Sequence, residues 1–93
     1  MINSENFNTA PTIWRIADDA QLKLRYWDAE CVLYHGASGD THRLPELIGK
    51  MLEQLMQASA SISTLSESIN LHEDDVTSAL HKLAGLGITQ IDQ

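Results

Sequence analysis

Cys31, His35, Asp40 and His42 fall within twelve residues of one another. A thiol with an imidazole at hand is the minimum for a nucleophile activated by a base. Alternation around Cys31, however, turns its side chain toward a core, where a thiol packs as a small hydrophobe and is inert. His35, His42, His72 and His81 lack the tight spacing of metal ligands, and one thiol accompanies them. The stretch GASGDTH holds two glycines but neither a P-loop lysine nor Gly-x-Gly-x-x-Gly spacing. The expectation is a non-catalytic protein with no metal and no cofactor. Gly36 and Gly39 are expected to permit a sharp turn, with Asp40 or Thr41 bonding backbone N–H groups ahead of the first helix and His42 structural in that network. Trp14 and Trp27 read as packing and sheet-face residues.

Composition narrows the partners. Ninety-three residues make one small domain that buries about 60–65% of its unfolded surface, so a deep, shielded active site has little room. Thirteen Asp and Glu against six Lys and Arg leave a formal charge of −7, which repels phosphate backbones. Cys31 stands alone, so no internal disulfide forms. With no basic-then-apolar leader and no run of eighteen apolar residues, the chain reads as soluble and cytoplasmic, with neither membrane nor nucleic acid as partner.

Residues 1–11, MINSENFNTAP, are polar and aperiodic and read as a flexible N-terminal segment. Residues 12–93 read as one domain. WRI, LKLRYW and CVLYH are three extended segments ahead of the polar elbow GASGDTHRL. A three-residue loop at Asp18, Asp19 and Ala20 would pair Trp14 with Leu24 and Ile16 with Leu22. The two-residue connection Asp28-Ala29 would set Tyr26 against Cys31 and Leu24 against Leu33, with strain at Ala29 if both turn positions need positive φ. The third segment is then apolar on both faces and forms a sheet border with no Pro or Lys to defend it.

Helical periodicity follows. Pro45 suits a first helical position, and Leu44, Leu47, Ile48, Met51, Leu52 and Leu55 recur at three and four. Thr64 and Glu67 match a capping box for a short second helix bearing Leu65 and Ile69. The third helix has Glu73, Asp74 and Asp75 in its first turn, Val76, Leu80 and Leu83 on its buried stripe, and Gly87 as its stop. The closing ITQID reads as a terminal strand. The fold class is α+β and winged-helix-like: a three-stranded antiparallel sheet followed by three helices, β-β-β-α-α-α. Such modules bind DNA through the last helix, yet here its N-terminal end is acidic and Lys82 is its one permanent cation.

The runs LKLRYWDAECVLYHGASGDTHRL and LHEDDVTSALHKLAGLGI resemble the PqqD family of peptide chaperones, the RiPP recognition elements. The likeness is to the stand-alone branch associated with HPr-kinase-related maturation systems, and it covers most of residues 12–91. It is most specific in the W-D-x-E hairpin, the S-G-D-T-H-x-L elbow at 38–44 and the L-x-x-L-x-x-L-G-I at 80–88; Ala29 departs from the glycine expected in that hairpin. The resemblance implies a PqqD-like winged-helix domain that binds the leader of a ribosomally made precursor peptide beside its third strand, against its third helix. The bound leader is then presented to a modifying enzyme.

The residues alone lead to the same edge but not to the peptide. Strand addition would use Cys31, Val32, Leu33, Tyr34 and His35, with Asp75, Ala79, Lys82 and Leu86 on the exposed shoulder of the third helix. A homodimer built on that border, and a winged-helix DNA-binding regulator, are the competing readings.

Overall fold

Apolar–polar alternation across residues 22–35 folds as a hairpin, and a third strand closes on it. In this computed structural model, which describes residues 11–92, β2 (Leu22–Trp27) pairs antiparallel with β3 (Glu30–His35), and β3 pairs with β4 (Asp40–Pro45). Tyr26 opposes Cys31 and Leu24 opposes Leu33, so Cys31 and Leu33 enter the core, both fully buried. The turn escapes strain at Ala29: of the two turn residues only Asp28 has positive φ, at 52°, so alanine stands where no left-handed backbone is required. The expected flexible segment lies outside the described residues, apart from Pro11.

The first segment, β1 (Ile13–Ile16), does not join this sheet. It lies between β5 (Ala60–Ser61) and β6 (Thr89–Ile91) in a second antiparallel sheet ordered β5-β1-β6. The expected pairing of Trp14 with Leu24 and Ile16 with Leu22 is therefore replaced by Trp14 with Ala60 and Ile91, and Ile16 with Thr89. Positive φ at Asp19 (62°) and Gln21 (57°) breaks the simple hairpin path between β1 and β2. Pairing on both sides also lets Trp14 sink to 2% exposure, its ring edge-on to His81 at 5.1 Å.

Three helices cover the sheets. α1 (Glu46–Gln57) buries Ile48, Met51, Leu52 and Leu55, while Leu47, expected on the stripe, stays 42% exposed. Gly49 lets α1 approach β3: a Cβ there would stand 2.7 Å from the Cys31 sulfur. α2 (Ile62–Ile69) begins earlier than the Thr64–Glu67 pattern suggests, because the Ser61 hydroxyl accepts from the Thr64 amide as N-cap. Asn70, left-handed at φ 57°, turns the chain into α3 (Glu73–Gly85). α3 buries Val76, Leu80 and Leu83. It ends in a Schellman motif in which Ile88 N–H donates to Leu83 C=O and Gly87 N–H to Ala84 C=O. The fold is thus α+β with antiparallel strands and three helices. Its chain order is β-β-β-β-α-β-α-α-β, because the elbow supplies a strand and two short strands flank the helix-turn-helix.

Candidate functional site: the β4 border and the α3 groove

Backbone parity decides which strand is open. Gly36 N–H donates to Gln21 C=O at 2.9 Å and Glu46 N–H to Ala29 C=O at 3.1 Å. In an antiparallel ladder, hydrogen-bonded pairs alternate along the strands. With the observed register, Glu30, Val32 and Tyr34 turn their N–H and C=O groups to β2, while Cys31, Leu33 and His35 turn theirs to β4. The third strand is therefore the centre of its sheet, and the expected main-chain site at Cys31, Val32, Leu33, Tyr34 and His35 is already occupied on both sides. The cause is the elbow. Residues 36–39 form a hairpin turn with Gly39 at φ 81°, and Asp40–Pro45 returns along β3.

The same parity leaves Thr41 and Arg43 with N–H and C=O pointing away from β3, and among the described residues no strand pairs with β4 on that side. Pro45 closes the border, since it has no N–H to offer, and Arg43 places a charge on it. β4 then runs straight into α1: Pro45 is the N-cap and no side chain caps the helix, so neither Asp40 nor Thr41 plays the capping part expected. The polar network of the elbow is Ser38 with His35, not His42. Ser38 Oγ lies 2.9 Å from His35 Nδ1 and accepts from the Asp40 amide. His35 Nε2 and His42 Nε2 are shielded and have no partner among the described residues.

A groove of about 600 Å³ lies between this open border and α3. Leu44 and Ile48 line one side, Ala79, Leu83 and Leu86 the other, and Asp75 and Lys82 also line it. All four helix-shoulder residues singled out from sequence, Asp75, Ala79, Lys82 and Leu86, lie here, and Leu86 is 43% exposed. The strand half consists of residues that sequence reasoning passed over, chiefly Thr41 and Arg43. β2 forms the other border of the sheet, where a smaller hollow of about 390 Å³ lies between Leu22 and the end of α1.

Cys31 and His35 sit four residues apart on one face of an extended strand, about 13 Å along it. Burial pushes the Cys31 thiol up, away from the thiolate, and the side chain packs against Gly49. Burial, and next the hydrogen bond to Glu53 at 2.5 Å, likewise raise the Tyr26 phenol. Among the described residues no three His, Cys, Asp or Glu side chains gather as a metal site, and no helix is long and apolar enough to cross a membrane. Comparison with family models, curated proteins and solved structures returned no match.

Proposed function

We propose that this protein is a non-catalytic peptide chaperone of the PqqD type, acting in the cytoplasm. It would hold the leader of a ribosomally made precursor peptide as an added strand on β4, against α3, and present it to a modifying enzyme. The observation that carries this reading is the coincidence of a border unpaired among the described residues, Thr41 and Arg43, with an apolar groove along its length. Strand addition draws affinity from main-chain hydrogen bonds and selectivity from pockets for alternate side chains, and the outward groups of Thr41 and Arg43 with the groove beside them support this reading. The peptide site moves one strand along from the one inferred from sequence, while its helix wall stays on α3.

A winged-helix DNA-binding regulator is less favoured, because Glu73, Asp74 and Asp75 occupy the end of α3 that should meet bases. A homodimer pairing β4 with its own copy uses the same border, and the two are separable. Leader regions of short reading frames encoded beside this chain should bind it as a monomer in fluorescence anisotropy and light scattering. A dimer that persists on dilution and is unmoved by every such peptide supports the homodimer instead.

A further inference from the structure

The side of the β2-β3-β4 sheet turned away from the helices carries a surface of which peptide capture uses only the β4 margin, at Thr41 and Arg43. Register and alternation place three rows on it: Lys23–Tyr34–Thr41, Arg25–Val32–Arg43 and Trp27–Glu30–Pro45. Three of the six lysines and arginines lie on these rows but only one of the thirteen acidic residues, Glu30, in a chain of net charge −7. Trp27 is 57% exposed and Tyr34 44%, and half-buried Val32 lies between their rows. A hollow of about 720 Å³ opens beside Trp27, Val32 and Arg43. Trp, Tyr and Arg are the side chains that most often anchor protein interfaces.

We infer that this sheet face is a second docking surface, whose occupant is a short acidic segment of a partner protein. The charge balance selects the occupant. Acidic side chains would meet Lys23, Arg25 and Arg43, with apolar groups on Trp27 and Tyr34, while Glu30 and the neighbouring turn residue Asp28 repel carboxylates from the turn end and fix the direction of docking. The three strands span about 10 Å across, so a short segment stays within the cationic rows. A nucleic acid extends beyond them onto acidic surface, where its phosphates are repelled. The two surfaces meet at β4, where Thr41, Arg43 and Pro45 also line the α3 groove, but Lys23, Arg25, Trp27 and Tyr34 lie outside that groove, and the inference stands whether or not a leader binds there.

Short polyglutamate is the defined probe, with oligouridylate of equal length beside it, both titrated at low salt and followed by amide NMR. Polyglutamate is expected to shift Arg25, Val32 and Tyr34. Lys23→Glu and Arg25→Glu, both exposed and compatible with the hairpin, should each weaken binding by about tenfold or more. Trp27→Ser should weaken it several-fold, a loss that pure charge attraction does not produce, and Ala79→Arg in the groove should leave it intact. Absence of shifts on the sheet face, tighter binding of oligouridylate, or self-association abolished by Trp27→Ser would each overturn the inference.

Discussion

Leu33 and His42 face each other across an antiparallel ladder, and this pairing puts the strand of Leu33 in the middle of its sheet. Every statement about where a peptide could add follows from it, because the donors of β3 are spent and, among the described residues, those of Thr41 and Arg43 are not.

Proline substitution separates the two strands. Arg43→Pro removes an outward N–H from an exposed position, so peptide binding should be lost while circular dichroism and urea midpoint change little. Val32→Pro removes a bond to Arg25 inside the sheet and should destabilise the protein by about 1–3 kcal/mol. If Arg43→Pro binds peptide at full strength, the border at β4 is not the site.

Filling the groove is the complementary change. Ala79 lies part-buried on the α3 wall beside Leu83 and Leu86. Ala79→Arg should leave the melting temperature nearly unchanged and weaken peptide binding by about tenfold or more, measured by anisotropy.

The distance between α1 and β3 is limited by Gly49. A Cβ there would stand 2.7 Å from Cys31 Sγ and 3.0 Å from Tyr26 Cε1. Gly49→Ala should therefore cost about 1–3 kcal/mol in urea unfolding, despite the better helix propensity of alanine. A gain in stability would mean that this approach is looser than described.

Tyr26 should make the fold alkali-sensitive. Its phenol is raised by burial and by the Glu53 carboxylate above the ordinary 10.0 it has in the unfolded chain. The unfolded state then loses its proton first, so this contribution to stability is fully present below pH 10 and is lost as pH rises further. Tyr26→Phe should flatten the fall of the urea midpoint above pH 10; an unchanged slope would assign the fall to other groups.

Much of this was legible in the sequence. Strict alternation in LKLRYW and the apolar positions of CVLYH set the β2–β3 register, and the stripe Val76, Leu80, Leu83 with Gly87 behind it set α3 and its stop. The fourth strand was not, because DTHRLP carries a single inward apolar residue, Leu44, and ends in Pro, which reads as a lead into a helix rather than as a border strand. The usable signal was Gly36 and Gly39 bracketing a four-residue turn after His35, at hairpin spacing. The pairing of β1 was hidden for another reason: β5 is two residues long with no pattern to mark it, and the closing strand, expected at ITQID, lies so far along the chain that nothing local assigns it to β1.

Hydrogen exchange at Thr41 and Arg43, read by NMR with and without a bound peptide, tests the central claim most directly. Peptides selected from a displayed random library, or the leaders encoded beside this chain, should slow exchange at these two amides and leave Val32 and Tyr34, already bonded to β2, unchanged. Peptides that bind tightly while Thr41 and Arg43 exchange as fast as in the free protein would contradict strand addition at β4.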